Sequence, residues 1–332
     1  MRHSTTTVFA MQALRVHAFD QPPRLDTLPS PEPAAGEVRV RVQACGISFF
    51  DLLIARGAYQ WKPPLPFTVG SEFAGTVDAL GAGTTGFAIG ERVCGSLSIG
   101  AWADQICVPA AGLQPVAPGA AIDEAAVLHT PYGTALYALR ERGGVQAGET
   151  VLVLGATGGI GDAGVQTAKA LGARVIAAVS GPAKQTAATQ AGADAVVDMQ
   201  SANWKDEVKA LAGPRGVDVV LDPVGGEAMD TAFRTLGWGG RHLVVGFAGG
   251  SIGSLKGNLC IVKGASLIGV DLRQYRERQP EAMHRLLADV TALHAQGRVR
   301  PRIAAHFPLT QASAAFSMAS ERATMGRVML DF

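Results

Sequence analysis

The stretch Val151-Leu-Val-Leu-Gly155-Ala-Thr-Gly158-Gly159-Ile-Gly161 decides the fold of this chain. Its first four residues are all apolar, which is typical of a parallel strand that is buried on both faces. Residues 160–171 then repeat apolar or small side chains at helical spacing. A strand, a glycine-rich turn and a helix in this order predict the opening of a dinucleotide-binding βαβ unit.

Each glycine of this stretch has a physical role in such a unit. Gly155 allows the tight turn, Gly158 and Gly159 let backbone N–H groups approach a pyrophosphate, and Gly161 lets the helix pack close to the strand. We therefore predict that these four glycines and Ile160 bind the cofactor. The alternative is a glycine-rich turn that merely eases packing.

The next strand indicates which dinucleotide binds. Arg174–Val179 is apolar and is followed by Ser180 and, four residues later, Lys184. An NAD site usually has an Asp or Glu here for the ribose 2′-hydroxyl. Ser180 and Lys184 could instead donate to a 2′-phosphate, so the sequence favours NADP(H). In the alternative, Ser180 only caps a helix and Lys184 is solvated.

Further strands and helices alternate up to residue 270, which predicts an α/β fold with a doubly wound parallel sheet of six strands. Ligands of such sheets bind at the carboxyl ends of the strands, so loops 155–161, 180–184, 222–226 and 246–250 should surround the cofactor. Before this region, residues 37–42 alternate strictly between polar and apolar, and short strands punctuated by Gly and Pro follow. They predict a partly open β-barrel over residues 11 to about 125.

The composition argues against a nucleic-acid-binding, membrane-binding or disulfide-rich protein. The chain has 332 residues, with 29 Lys and Arg against 28 Asp and Glu, which gives no support for binding to nucleic acid or membranes. The 4 cysteines are scattered and show no CxxC spacing, so neither a structural zinc lobe nor a disulfide framework is expected. We expect a cytoplasmic protein.

The chain resembles the zinc-independent medium-chain dehydrogenases/reductases, in the NADPH:quinone oxidoreductase (zeta-crystallin-like) branch, over essentially all of 11–332. The motifs that carry the resemblance are Ala44-Cys-Gly-Ile-Ser-Phe-Phe-Asp51, Arg56-Gly-Ala-Tyr59, Gly70-Ser-Glu-Phe-Ala-Gly75, Tyr132-Gly-Thr-Ala135, Gly155 to Gly161 and Asp222-Pro-Val-Gly-Gly226.

The resemblance implies a domain order. After an extension at 1–10, which we expect to be disordered, it implies a GroES-like catalytic domain at 11–128 and a Rossmann NADP(H)-binding domain at 129–271. Residues 272–332 would return to the catalytic domain. The resemblance also implies a homodimer or homotetramer.

Zinc alcohol dehydrogenases of the same superfamily hold their catalytic metal on a Cys, a His of a Gly-His-Glu motif and a second Cys. Cys45 and Glu72 match that pattern, but Ser71 stands at the His position and Thr130 at the second Cys position. Since a catalytic zinc normally takes three protein ligands, no metal is expected.

Metal-free hydride transfer to a quinone or an activated alkene then remains, with donors that stabilise the developing oxyanion and a proton source. Tyr59 matches a tyrosine that the family places near the substrate, and Tyr132 and His129 are the other candidates for catalysis. Each could instead be structural: Tyr59 as an aromatic lid, the other two as pocket lining.

The resemblance extends to several cofactor contacts. Ser48 stands where much of the family carries Asn near the nicotinamide, and Arg327 stands where relatives often carry Lys facing the cofactor. By the same resemblance, the remaining cofactor contacts would be Thr130, Thr134, Phe247 and Val270.

Three hypotheses follow. The first is an NADPH-dependent quinone oxidoreductase. The second is an NADPH-dependent enoyl or acryloyl-thioester, or enone, reductase, for which Arg273, Arg276 and Arg278 would have to bind a CoA diphosphate. The third is a non-enzymatic NADPH-binding protein with a structural or RNA-binding role, which no basic patch or aromatic platform supports.

Overall fold

The computed structural model describes residues 10–332, and the chain divides into two compact units. The first unit contains the described residues up to Val127 together with Ile303–Phe332, and the second is Leu128–Arg302. Of the extension predicted at 1–10, residues 1–9 lie outside the described part of the chain, whereas Ala10 begins the first strand.

The first unit consists mainly of antiparallel strands. Its strands are β1 (Ala10–Val16), β2 (Arg24–Pro29), β3 (Glu37–Ile47), β4 (Phe67–Thr68), β5 (Glu72–Leu80), β6 (Arg92–Ser96), β7 (Gln105–Pro109), β8 (Leu113–Pro115), β15 (Ile303–Pro308) and β16 (Arg327–Asp331). Its α-helices are α1 (Phe49–Ala55), α2 (Ile122–Ala126) and α11 (Ala312–Ser320).

Strand β3 is the centre of this unit because it pairs with β5, β7 and β16, antiparallel in each case. Val38, Val40 and Val42 point into the core, while Arg39 and Arg41 are more exposed, as the alternation predicted. The last strand, β16, returns to pair with β3 with Leu330 opposite Cys45.

The second unit alternates strands and helices. Its strands are β9 (Thr150–Leu154), β10 (Arg174–Val179), β11 (Ala195–Asp198), β12 (Val217–Asp222), β13 (Leu236–Val244) and β14 (Ser266–Gly269). Its helices are α3 (His129–Leu136), a π-helical segment (Tyr137–Arg142), α4 (Gly159–Ala170), α5 (Pro182–Gln190), α6 (Trp204–Ala212), α7 (Gly226–Phe233), α8 (Asn258–Lys263), α9 (Leu272–Arg278) and α10 (Pro280–Ala295).

The six strands form one parallel sheet in the order β11-β10-β9-β12-β13-β14, which confirms the predicted doubly wound fold. Strand β9 is buried on both faces: Val151 and Val153 pack in one apolar cluster, Leu152 and Leu154 in another. The strand order reverses between β9 and β12, and a crevice at such a switch point is where sheets of this type bind ligands.

Residues 272–302 belong to the second unit, although the sequence analysis grouped them with the return to the first domain. The reason is the apolar face of α10, whose Leu286, Leu287 and Val290 pack with Tyr132 and Leu136 of α3. The return to the first unit therefore begins at Ile303. No helix among residues 10–332 is both long and apolar enough to cross a bilayer.

Candidate functional site

The glycine turn after β9 has the geometry that nucleotide binding needs. Gly155 has φ +58°, which only glycine adopts readily, and a Cβ atom on Gly161 would lie 2.0 Å from the carbonyl oxygen of Gly155. Gly158 is the exposed N-cap of α4, and no described side chain caps that helix. The first N–H groups of α4, which include those of Gly159 and Ile160, are therefore available to a ligand. They give this end of the helix a partial positive charge, and the end lies at the switch point of the sheet.

Two further loops are joined to this turn in series. A Cβ atom on Gly155 would lie 2.9 Å from Cγ2 of Val224, in the turn after β12. The N–H of Gly249, in the loop after β13, donates to the carbonyl oxygen of Val224 at 2.9 Å. A Cβ atom on Gly225 would lie 2.5 Å from Cδ1 of Phe247. The turn after β12 therefore contacts both the glycine turn after β9 and the loop after β13, and these are three of the four loops predicted to surround the cofactor.

The fourth loop, at 180–184, follows β10, which neighbours β9 in the sheet. Ser180 is exposed and Lys184 is half-buried in the first turn of α5. No acid lies at the end of β10 itself. However, Val179 pairs with Asp198 of β11, and an Asp198 carboxylate oxygen accepts from the N–H of Gly181 at 3.4 Å. An acid thus reaches this loop from the neighbouring strand, which no spacing rule within one βαβ unit could reveal.

The other predicted cofactor residues of the second unit lie in one helix and in two segments that follow strands. Thr130 is half-buried and Thr134 buried, both in α3. Phe247 is 38% exposed in the loop after β13. Val270 is buried after β14, where its N–H donates to the carbonyl oxygen of Val244 at 3.0 Å.

In the first unit, Ser48 caps α1 through a capping box with Asp51. Its hydroxyl oxygen accepts from the N–H of Asp51 at 3.1 Å, and the Asp51 carboxylate accepts from the N–H and the hydroxyl of Ser48 at 2.7 and 2.6 Å. The Ser71 hydroxyl lies 3.3 Å from that of Ser48. Burial raises the pKa of Asp51 to about 6 against these hydrogen bonds. Ser48 is therefore held by a buried acid of its own unit.

Arg327 forms a buried ion pair with Glu72, its guanidinium Nη2 donating to the carboxylate. Glu72 is 0% and Arg327 7% exposed. The resemblance predicted that Arg327 faces the cofactor. In the structure its positive charge neutralises the carboxylate of Glu72, because a buried carboxylate needs a counter-charge.

The residues at the positions of the zinc ligands do not fit a metal. Cys45 donates its thiol hydrogen to the carbonyl oxygen of Ala101 at 3.1 Å, and burial, with the nearby carboxylates of Asp51 and Glu72, raises the pKa of that thiol well above its usual range. Ser71 and Thr130, at two of the other positions, carry hydroxyl groups, which are not the Cys, His or carboxylate ligands that zinc takes in such sites. Within residues 10–332, no three His, Cys, Asp or Glu side chains are grouped so that they could hold a metal ion.

His129 and Tyr132 lie in the helical layer of the second unit. The Tyr132 hydroxyl accepts from the Gln166 amide at 3.0 Å and lies 3.5 Å from the Asp162 carboxylate. His129 is 1% exposed, with Nε2 3.4 Å from the Thr291 hydroxyl. Burial, helped by the positive charge of Arg276, lowers the pKa of His129 to about 4. A neutral, enclosed imidazole is a poor proton donor at neutral pH, and the Tyr132 hydroxyl is engaged by Gln166 and Asp162.

This pKa predicts a specific loss of stability in acid. The unfolded chain protonates His129 near its ordinary pKa of 6.5, and the folded chain only near 4. Folding is therefore favoured above 6.5 and loses about 3 kcal/mol as the pH falls from 6.5 to 4. Urea unfolding would measure the free energy of unfolding of the wild type and of His129→Gln from pH 6.5 to pH 4. Across this range the wild type should lose about 3 kcal/mol relative to His129→Gln. An unchanged difference would contradict the account, and Asp51 does not confound it because both proteins contain it.

Tyr59 is half-buried, and its ring stands edge-on to that of Phe50 at 4.9 Å. It follows the glycine turn that ends α1, where Gly57 has φ +63°. Since Tyr132 and His129 are enclosed, Tyr59 is the remaining tyrosine of the predicted catalytic set with an accessible side chain.

Comparison with known proteins supports both units. Residues 34–118 match the alcohol dehydrogenase GroES-like domain, and residues 159–289 match the zinc-binding dehydrogenase family. Quinone oxidoreductase-like protein 2 of Mus musculus is 38% identical over 295 residues, which are 89% of this chain and 84% of that protein.

Solved structures agree over nearly the whole chain. A native mycobacterial protein complexed with NADPH superimposes with a TM-score of 0.88 at 30% identity, covering 97% of this chain and 100% of that one. The CurK enoyl reductase gives a TM-score of 0.87 at 26% identity, covering 97% and 99%. With a GroES-like unit, a Rossmann unit and these relatives, the chain belongs to the medium-chain dehydrogenase/reductase family and is homologous to its quinone oxidoreductase-like proteins.

Proposed function

We propose that this chain is an NADPH-dependent quinone oxidoreductase that works without a metal. The observation that carries the proposal is the glycine turn packed against β12's loop at the switch point of the sheet, in a chain 38% identical to a quinone oxidoreductase-like protein. Bound NADPH would supply the hydride, and the cofactor would carry the redox chemistry.

The chain's own residues have three tasks in this proposal. The open N-terminus of α4 binds the pyrophosphate, and Phe247 with Val270 supports the nicotinamide. Thr130 and Thr134 remain proposed donors to the nicotinamide or diphosphate. Reduction consumes NADPH, one proton and the quinone and yields NADP⁺ and hydroquinone, so a proton must be delivered. We assign this to Tyr59 or to water.

Lys184 and Ser180 should select the phosphorylated cofactor. A charge-assisted hydrogen bond to the 2′-phosphate contributes enough for about a tenfold affinity difference. Lys184→Ala should therefore raise the dissociation constant for NADPH about tenfold and leave that for NADH unchanged in fluorescence titrations. The control is Lys209→Ala, which removes an exposed lysine of α6. Equal losses for both cofactors would show that Lys184 does not contact the phosphate.

The second candidate is an enoyl-thioester or enone reductase, favoured by the structural match to an enoyl reductase. The basic run that it would use for a CoA diphosphate lies on α9, but the Arg273 guanidinium is hydrogen-bonded to Glu277 at 2.8 Å and lies 3.8 Å from Asp271. The positive charge of Arg273 is therefore balanced by Glu277 of α9 and by Asp271, the N-cap of that helix. This weighs against a CoA site on α9.

A panel of acceptors distinguishes the two. NADPH oxidation by EDTA-treated protein would be measured with 1,4-benzoquinone, 9,10-phenanthrenequinone, a simple enone, acryloyl-CoA and crotonyl-CoA. We expect the quinones to be reduced at the highest kcat/KM. A preference for a thioester or the enone would move the assignment to alkene reduction, and NADPH binding without any turnover would favour the non-enzymatic hypothesis.

We also propose that two copies associate through the open edge of the parallel sheet. Strand β14 is the last strand in the order, and the apolar side chains near it are unusually exposed: Trp238 86%, Ile261 82%, Val262 71% and Leu267 43%. Trp238 adjoins Gly264, since a Cβ atom there would lie 2.7 Å from its ring. Exposed apolar residues beside an open edge are typical of an interface.

Val262→Asp should therefore convert a dimer into a monomer in light scattering coupled to gel filtration. A buried, unpaired carboxylate at an interface weakens association strongly. The matched control is Ile89→Asp, at a 69% exposed position of the first unit, which should leave the mass unchanged. A wild type that is monomeric at micromolar concentration would contradict the proposal.

A further inference from the structure

A buried carboxylate–histidine pair lies beneath the loops that join at the switch point. Asp222 is the last residue of β12, and His242 lies in the neighbouring strand β13 opposite Val220. His242 Nε2 is 3.0 Å from an Asp222 carboxylate oxygen, and both side chains are fully buried. Asp222 opens one of the loops predicted to surround the cofactor, but neither side chain of the pair has been given a role in binding the cofactor or the substrate.

The proton of this hydrogen bond can be placed. Nδ1 of His242 is buried and has no hydrogen-bond partner among the described residues. A proton on Nδ1 would bury an unsatisfied donor, which is costly. The neutral tautomer with its proton on Nε2 is therefore favoured, and His242 donates to Asp222. The imidazole also stacks on Phe233 of α7, with ring centroids 6.0 Å apart.

Asp222 uses its other carboxylate oxygen to hold the turn that follows β12. That oxygen accepts from the N–H of Val224 at 2.9 Å and from the N–H of Gly225 at 2.8 Å. The carboxylate thus has three N–H donors, one from His242 and two from the turn, and these offset the loss of its hydration. Without the donor from His242, the buried carboxylate would keep only the two N–H donors of the turn, both on its other oxygen.

The turn after β12 also holds the loop after β13. The carbonyl oxygens of Pro223 and Val224 accept from the N–H groups of Ala248 and Gly249 at 3.0 and 2.9 Å. Phe247 directly precedes these two bonded residues, and its ring packs closely on Gly225 of the turn. The orientation of one buried carboxylate therefore determines the position of both loops, and Val224 of the first also packs on Gly155 of the nucleotide turn.

We propose that His242 is a positioning residue for nicotinamide nucleotide binding, acting through Asp222 on the turn at 223–226 and on the loop at 246–250. The inference rests on the proposed function, because it takes these loops as the nicotinamide end of the NADPH site. Its ordinary alternative is that the pair only stabilises the core. The two interpretations differ in what happens to the loops when the donor alone is removed.

Three variants separate these interpretations. His242→Phe keeps an aromatic ring for Phe233 but removes the donor. His242→Gln keeps an N–H donor near the position of Nε2. Phe233→Leu disturbs the same core, where Phe233 is 0% exposed, but leaves the hydrogen bond to Asp222 in place. Thermal unfolding of all three measures the purely structural cost.

The first readout needs no cofactor. Amide hydrogen exchange at Val224, Gly225, Ala248 and Gly249 should be about tenfold faster in His242→Phe than in the wild type, and close to the wild-type rate in His242→Gln and Phe233→Leu. Unchanged exchange in His242→Phe, or equal acceleration in Phe233→Leu of similar stability, would overturn the positioning role. This result does not depend on whether the protein binds NADPH.

The second readout is NADPH affinity by fluorescence titration. We expect the dissociation constant to rise about tenfold in His242→Phe, to stay within about threefold of the wild type in His242→Gln, and to be unchanged in Phe233→Leu. Faster exchange with unchanged affinity would overturn the inference while leaving the proposed function intact. A wild type that does not bind NADPH would instead overturn the proposed function.

Discussion

Gly161→Ala should weaken NADPH binding at least about a hundredfold. The added Cβ would lie 2.0 Å from the carbonyl oxygen and 2.7 Å from the carbonyl carbon of Gly155, and backbone atoms cannot rotate away as a side chain can. Helix α4 must then move off the turn, which displaces its first N–H groups from the pyrophosphate. We expect an NADPH affinity at least about a hundredfold lower and a free energy of unfolding lower by about 2 kcal/mol.

The matched control is Gly257→Ala in the same unit. Gly257 has a negative φ of −57° and a Cβ there would meet nothing within 4 Å, so this variant should change stability by less than about 0.5 kcal/mol and bind NADPH normally. Calorimetric titration of both variants tests the pair. Normal NADPH affinity in Gly161→Ala would show that the close approach of helix and turn is not required for binding.

Arg327→Met should destabilise the first unit severely. It leaves the carboxylate of Glu72, which is 0% exposed, without the guanidinium that holds it. Breaking a buried ion pair by removing one partner costs about 3–5 kcal/mol. Urea unfolding should therefore show a loss of this size.

The double variant Glu72→Leu with Arg327→Met is the informative control. Because an apolar pair of similar volume often replaces a buried ion pair at little cost, most of the lost stability should return, together with normal NADPH affinity. If stability returned but NADPH affinity stayed about tenfold low, Arg327 would contact the cofactor, as the family resemblance implies.

The nucleotide unit was the most predictable part of the chain, for a physical reason. Its parallel strands are buried on both faces, so β9 and β12 are nearly continuous apolar runs, and its turns need glycine at fixed places. Both signals are local in sequence. The first unit gave weaker signals, because β4 and β8 have only 2 and 3 residues and are fixed by their pairing with β1 and β6.

Polar pairs that join distant segments could not be predicted. Glu72 and Arg327 are 255 positions apart, and no spacing rule relates them. Asp222 and His242 come from adjacent strands, and the only signal for them is a charged residue at the end of an apolar strand and a histidine within another. Asp198 reaches the loop of β10 only through strand register. Such contacts are set by the tertiary arrangement, and the sequence resemblance assigned one of these residues, Arg327, to the cofactor instead.

Hydride transfer from NADPH to a quinone is the reaction that we propose for this chain, and a single-turnover experiment tests it most directly. EDTA-treated protein, verified free of metal, would be mixed with one equivalent of NADPH and then with 9,10-phenanthrenequinone in a stopped-flow instrument. The account predicts that the nicotinamide absorbance at 340 nm disappears in one phase and that one hydroquinone forms per NADPH. Retention of that absorbance with every quinone, or a faster reaction with crotonyl-CoA under the same conditions, would contradict it.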